Sequence, residues 1–445
     1  MSISIAERNR LHAKYPDVFK VNILRRWGLP IGIAAAVLYL IFCWFFFNVG
    51  PALQNGKWDR AAIYLQDWFS WRATPRLRFA EGGSIEPQWS SRGQYADGAT
   101  IDWLTPEADG SYLVTFSGDD SLAITTSLVN VTFDGQTYPV TITSDAALAP
   151  EGVPAAIVQD GQKVLVNFGF AGQAEIRDNQ VYVQRRFLGW ANFFFDTQSP
   201  FWGKSLVDVA GLMLSGDRID PNQSNAALAL DNFLNNASWQ HGDILSKLMQ
   251  TLVMAFVGTL LASLFAFPIA FIAARNITRS RPANWATKRL FDFLRSIDML
   301  IWALFFTRAF GPGPIPGIAA IFFTDTGALG KVYAEALENV DDKQREGVKS
   351  VGAAPVVVQR FGVVPQVLPI FISQSLYFWE SNTRSATVIG AVGAGGIGLK
   401  LLESMKTNAD WDKVAYMVLL VLIVVFIFDN ISNALRSRVM GKKTH

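Results

Sequence analysis

The chain has 445 residues, half of them hydrophobic and 17% charged, with a formal net charge of +2. A mean hydropathy of +0.22 is too apolar for an ordinary soluble protein of this length and places it in the membrane class, and nothing in its charge points to a nucleic-acid partner. One cysteine (Cys43) and three scattered histidines (His12, His241, His445) exclude a disulfide framework and a zinc pattern, and no His, Cys or carboxylate cluster has the spacing of an active site.

The first expected element is a membrane helix. Residues Leu29 to Val49 carry no charge and match the roughly 20 residues that cross a hydrocarbon core. Arg25-Arg26 before them suggest a signal peptide. No small-residue cleavage site follows Phe47, however, and the apolar run is too long for a signal core, which favours an uncleaved anchor and makes residues 1–49 a cytoplasmic N-terminus followed by the first transmembrane helix. Residues 50–198 differ in character and read as an insertion with a β-rich core at about 76–187. Within it, Val131-Thr132-Phe133 and Tyr138-Pro139-Val140 flank the hairpin turn Asp134-Gly135, and Gln162 to Phe170 and Gln180 to Phe187 alternate with period two. A Lys-Ser pair at Lys204-Ser205 is no P-loop, because Gln198 stands where the leading glycine belongs. If ATP powers the protein, another subunit binds it. Residues 199–244 hold two short amphipathic patterns, Phe201 to Leu214 and Ala226 to Leu234, which fit interfacial helices and buried packing helices equally.

Further spans are expected at Leu248 to Ala274, Phe361 to Trp379 and Val414 to Phe428. Between Met299 and Thr324, Arg308 and the run Gly311 to Gly317 break the pattern into two helices joined by a tight turn. That makes six crossings. Arg8, Arg10, Lys14, Lys20, Arg25 and Arg26 place the N-terminus in the cytoplasm, and Arg275, Arg279, Arg281, Lys288 and Arg289 place the loop after the second span there too. Parity puts the charged segment 335–365 and the basic tail 436–445 on the same side. Both termini are expected inside, with the insertion outside.

Three groups of residues stand out. In the charged segment, Glu346-Gly347-Val348, three residues, Gly352, nine residues and Gly362-Val363-Val364-Pro365 form a spaced pattern, with Gly352 suited to a tight turn. Glu380, Asn382, Arg384, Ser385 and Thr387 form a dense polar cluster at an apolar run. Glu380 and Arg384, four apart, share a helical face and can pair or line a passage. Arg308 and Asp298 carry the same ambiguity and can be each other's partners. Gly393, Gly395, Gly396 and Gly398 satisfy G-x-G-x-x-G. No βαβ unit can form around them, so close helix approach or an irregular turn is expected instead of a nucleotide site.

The spacing from Glu346 to Pro365 resembles the cytoplasmic loop of ABC importer permeases, which docks on an ATPase subunit. It departs at Gly347, Val348 and Gly362, where Ala, Ala and Ile are usual. The run Tyr377 to Gly398, with Ala273-Ala274-Arg275-Asn276, Gly311-Pro312-Gly313-Pro314 and Val364 to Pro369, resembles the signature of the phosphonate-uptake permeases, the PhnE family. The likeness covers roughly residues 245–435, and Asp298 stands where relatives carry Glu. It implies a mainly α multi-pass membrane protein, a type I ABC importer permease bundle of about six transmembrane helices with an inserted periplasmic β-rich domain. The permease core is residues 245–435, with coupling residues Glu346, Gly347, Val348, Gly352 and Pro365.

The implied function is movement of phosphonate, or of phosphate or phosphite, from periplasm to cytoplasm by alternating access across the bacterial inner membrane. The implied partners are ABC ATPase subunits that bind ATP and Mg, a periplasmic binding protein and a second permease subunit, identical or paralogous. No cofactor is expected on this chain, which is not itself an enzyme. Shorter relatives lack the insertion, which is expected to seat the binding protein or cap the pathway. A different class, a membrane-anchored ligand sensor with a periplasmic β domain, lacks any kinase or coiled-coil output after Phe428.

Overall fold

The computed structural model describes residues 13–14, 23–56, 58–80, 82–89, 101–406 and 411–441. Arg8, Arg10 and Lys20, used above to orient the N-terminus, and Lys442 and Lys443 of the basic tail lie outside the described residues. The chain divides into two compact units, residues 1–64 and 65–445.

In the first unit, α1 (Ile23–Phe46) begins before the uncharged run expected to form it, and α2 (Val49–Gln54) follows a left-handed residue, Asn48. The apolar side chains of α1 are exposed all round, Leu29 at 77% and Phe45 at 73%. A helix apolar on every face needs a hydrocarbon solvent. α3 (Trp58–Asp67) crosses the boundary, its last three residues belonging to the second unit.

The second unit opens with two antiparallel sheets. Among the described residues thirteen strands run from β1 (Ser70–Ala73) to β13 (Gln180–Leu188), so the β-rich segment extends a few residues beyond the expected 76–187. One sheet has the order β10 (Ile157–Asp160), β11 (Lys163–Asn167), β12 (Gly172–Ile176), β13, β2 (Arg76–Phe79), β3 (Ile85–Gln88), with β1 also on β13, and the other is a meander from β4 (Leu104–Pro106) to β9 (Ala147–Leu148). The expected hairpin is present: β7 (Leu128–Phe133) and β8 (Gln136–Ile142) pair across Asp134 and Gly135, both at positive φ. Alternation buries Leu122, Ile124, Val129, Val131, Val164, Val166, Val181 and Val183 in one core, where Phe116 stacks on Phe168 at 4.1 Å. Asp67 joins the end of α3 to this sheet through Arg72 at 2.9 Å and Arg186 at 3.0 Å. The Asp67 and Arg186 side chains are buried. Removing one partner of such a pair costs roughly 3 to 5 kcal/mol, because the other charge stays buried alone.

The amphipathic patterns at 199–244 form α4 (Leu206–Ser215) and α5 (Asn225–Leu234), each N-capped by a serine, Ser205 and Ser224. They share the small core of Phe201, Val209 and Ala229 but leave Val207 and Leu214 exposed.

The bundle follows as α6 (His241–Ala273), α7 (Arg281–Ser296), α8 (Met299–Phe310), α9 (Pro314–Glu338), α10 (Asp342–Ser350), α11 (Pro355–Val358), α12 (Val364–Ile389), α13 (Gly396–Lys406) and α14 (Trp411–Val439). By length and composition, four helical stretches among the described residues can cross a membrane: Trp27–Phe46, His241–Ala273, Pro355–Ala394 and Trp411–Val439. The expected pair between Met299 and Thr324 is α8 and α9, turned at Gly311 and Gly313. At 12 residues α8 is about 18 Å long, short of a hydrocarbon core of about 30 Å. α9 reaches further than expected. Glu335 and Glu338, assigned above to a loop, continue the helix, because Glu338 accepts hydrogen bonds from Arg275 N at 2.9 Å and Lys288 Nζ at 2.8 Å.

Two polar knots hold α6, α9 and α12 together. Ser263, Tyr333 and Ser375 form a closed ring of hydroxyl contacts at 2.6 to 2.8 Å. Asn382 donates to Thr259 Oγ1 at 2.7 Å and to Asp325 Oδ2, all three residues being buried. The two ends of α6 have different neighbours. At its start, His241 bridges the Phe193 carbonyl at 2.6 Å and the Tyr416 hydroxyl at 2.9 Å, and the Trp239 indole N–H donates to the Ala191 carbonyl at 2.9 Å. This ties the chain leaving the β sheets to α6 and α14. At its far end, Arg345 of α10 donates to the Asn276 carbonyl at 3.2 Å. The β-rich domain and α10 therefore sit at opposite ends of α6.

Candidate functional site

The segment from Asp342 to Val363 folds as a helix, a turn and a second helix. Asp341 caps α10 by accepting from Lys343 N at 3.0 Å. Gly352 closes the turn at φ +80°, its N–H donating to the Lys349 carbonyl at 3.0 Å. Pro355 opens the next helix, and a π-helical turn at Gln359–Val363 leads into α12, so Pro365 lies in the first turn of a long helix. Gly362, a departure from the usual pattern, is buried where a Cβ would come within 3.3 Å of the Arg345 Cα. Its lack of a side chain lets α10 lie against the start of α12. Glu346 and Gly347 are exposed and Val348 is half-buried. Val351 and Val356 are 81% and 78% exposed among these charges.

The polar cluster on α12 divides by face. Asn382, Thr383, Ala386 and Ile389 are buried toward α6 and α9, whereas Arg384 lies on the opposite, exposed side. Ser385 and Thr387 are half-buried between them. Arg384 reaches Asp429 of α14 at 3.1 Å and Glu380 at 3.6 Å. Glu380 in turn holds Arg436 of α14 at 3.2 Å, and Arg436 also donates to Asn433 Oδ1 at 2.6 Å. Four charges thus alternate along the α12–α14 seam. Along α12 the quartet lies within two residues of Asn382, whose partner Thr259 is near the middle of α6, and along α14 it runs from Asp429 to Arg436 in the last turn. The Arg384 side chain is 47% exposed and that of Asp429 36%. A charge in lipid costs about 2.5 to 3.5 kcal/mol at the bilayer centre on insertion scales, and all four of these are paired with one another.

The glycine run ends α12 and starts α13. Gly393, Gly395 and Gly396 all have positive φ, and the Gly393 carbonyl accepts from Gly313 N at 3.0 Å, locking the break onto the α8–α9 turn. Gly398 packs its Cα against the Thr387 carbonyl. Thr251 Oγ1 accepts from Ile397 N at 2.9 Å and Gln250 Oε1 from Gly396 N at 3.1 Å, so the first N–H groups of α13 are satisfied by α6.

Asp298 and Arg308 stay apart from these groups and from each other. Asp298 is exposed and caps α8, accepting from Leu300 N at 2.8 Å, and Arg308 is exposed near the other end of the same helix. Ten residues of helix separate side chains by about 15 Å, which rules out the expected pairing. Arg436 belongs to α14 and not to a solvated tail. It and Asp429 are the site residues that reading the sequence missed. Asp429-Asn430 directly after an uncharged run was the available signal. Among the described residues, no group of three or more His, Cys, Asp or Glu side chains is placed to hold a metal ion.

Comparison with known proteins places residues 266–441 under a family model described as binding-protein-dependent transport system inner membrane component. The phosphite transport system permease protein PtxC of Stutzerimonas stutzeri is 37% identical over 244 residues, 53% of this chain and 82% of that protein. The putative cryptic phosphonate transport system permease protein PhnE2 of Escherichia coli (strain K12) is 41% identical over 117 residues, 26% of this chain and 95% of its own. The phosphate-import permease protein PhnE of Mycolicibacterium smegmatis (strain ATCC 700084 / mc(2)155) is 32% identical over 198 residues, 44% and 37% of the two chains. The β-rich domain lies outside the residues matched by the family model.

Proposed function

Because this chain belongs to the binding-protein-dependent transport system inner membrane components, as a phosphonate-type ABC importer permease, we propose that it passes a phosphorus oxyanion inward along the α12–α14 seam. The observation that carries this reading is Arg384, a half-exposed guanidinium on the α12–α14 seam, two residues along α12 from the buried Asn382. Its planar fork donates to two oxygens at once, the geometry that a phosphonate, phosphite or phosphate presents. Glu346, the Gly352 turn and exposed Val351 and Val356 would meet the ATPase that supplies the energy. A second permease subunit, identical or paralogous, would close the passage, in a bundle of about six crossings with both termini in the cytoplasm.

Reconstitution in proteoliposomes with the ATPase and the secreted binding protein tests the reading. ATP-dependent accumulation of phosphite, methylphosphonate or phosphate is expected. A complex that hydrolyses ATP on addition of the loaded binding protein yet accumulates none of the three would overturn it.

The β-rich domain stands at the end of the bundle where α6 and α14 begin, opposite α10, the position from which it would seat the binding protein. Exchanging residues 70–188 for a short flexible linker should abolish most binding-protein-stimulated ATP hydrolysis while basal hydrolysis persists. Unchanged stimulation would reduce the domain to a passive insertion.

A further inference from the structure

Arg384 is already occupied. Its Nη1 lies 3.1 Å from Asp429 Oδ1 and 3.3 Å from Oδ2, a chelating contact in which both carboxylate oxygens face one side of the guanidinium. The neighbouring pair is built differently. Glu380 is only 11% exposed, and Arg436 is held from three sides, by Glu380, by Asn433 Oδ1 at 2.6 Å and by the Tyr377 ring at 5.7 Å. Glu380–Arg436 is a fixed brace between α12 and α14. Arg384–Asp429, with side chains 47% and 36% exposed, is the more open pair, and exposed pairs are weak enough to open and close readily.

Resting on the pathway reading of Arg384, we infer that Asp429 is an exchangeable counter-ion: it occupies Arg384 between transport events, and the carried oxyanion displaces it. A carboxylate and a tetrahedral phosphorus oxyanion present the same two-oxygen edge to a guanidinium. Displacement is thus an exchange of like for like, and Arg384 is never left without a partner. The displaced carboxylate then repels the anion it has yielded to, which speeds departure. A site that conducts has to bind weakly enough to release. Glu380 also lies 3.6 Å from Arg384 through Oε1, but its Oε2 is held at 3.2 Å by Arg436, so it stays in place where Asp429 is free to swing away. Neutralising Glu380 and Arg384 together is accordingly a poor test, since it strands both Arg436 and Asp429.

The informative variants are Asp429→Asn, Arg384→Gln and the reversal Arg384→Asp with Asp429→Arg, each in the full complex. Binding of phosphite, phosphate and methylphosphonate is measured calorimetrically without the binding protein, and uptake is measured with it. Asp429→Asn should bind the accepted anion about tenfold more tightly and transport it more slowly, a split between affinity and turnover that a loosened helix contact does not produce. The reversed pair brings a carboxylate beside Glu380 and should lower the thermal midpoint only slightly, yet transport poorly. Unchanged anion affinity in Asp429→Asn, or full uptake by the reversed pair, overturns the exchange and leaves a clasp between helices. Normal uptake in Arg384→Gln would instead remove the pathway reading itself, so the two failures are distinguishable.

Discussion

Gly352→Val should leave the protein in the membrane at normal abundance and cut uptake by about tenfold or more. The argument turns on magnitudes. Gly352 sits at φ +80°, and a Cβ there would meet nothing within 4 Å, so the penalty is conformational and not steric crowding by neighbours. Left-handed backbone costs an ordinary residue about 1 to 2 kcal/mol, and a β-branched one more. That is small beside a typical domain stability of about 5 to 15 kcal/mol, so folding survives. It is enough, however, to move the turn between α10 and α11 out of its conformation in most molecules, because about 1.4 kcal/mol is a tenfold shift in population. Uptake and co-purification of the ATPase should fall together, and Gly352→Asn, which tolerates the left-handed region, should be milder. Full uptake in the valine variant at normal abundance would count against a docking role for this turn.

Gly398→Ala should fail at an earlier stage, with less protein in the membrane and a lowered thermal midpoint in detergent. Here the backbone is helical and the obstacle is space. A Cβ on Gly398 would collide with the Thr387 carbonyl oxygen and approach Ala391 N at 2.9 Å, and neither can rotate aside because both are backbone atoms. Overpacking of this kind typically costs about 1 to 3 kcal/mol, and more where the neighbours are rigid. α13 would have to lift from α12, which also strips Ile397 N and Gly396 N of their acceptors on Thr251 and Gln250. A wild-type midpoint for Gly398→Ala would mean that the α12–α13 junction is looser than its geometry, and that its glycines do not hold the break in place.

The sequence alone determined whatever depends on neighbours along the chain. Uncharged runs of membrane length located α1, α6, α12 and α14, because crossing hydrocarbon requires a minimum number of apolar residues in a row. Asp134-Gly135 marked a hairpin and Gly352 a turn, since both depend on which residues tolerate positive φ. Even the separation of Asp298 from Arg308 was implicit in the helical rise. Helix limits were less legible. Glu335, Glu338, Glu380 and Arg384 interrupt the apolar runs, so hydropathy ends the element where the backbone continues through partners such as Lys288 and Asp429. α9 is the extreme case: it carries Asp325, Lys331 and Glu335 because its neighbours are other helices, with Asn382 meeting Asp325. Only the tertiary structure decided that Arg384 faces Asp429 and that Glu380 faces Arg436. Those partners lie dozens of residues apart, and pairing at that distance is set by how two helices cross, a property of packing that no local run of residues encodes.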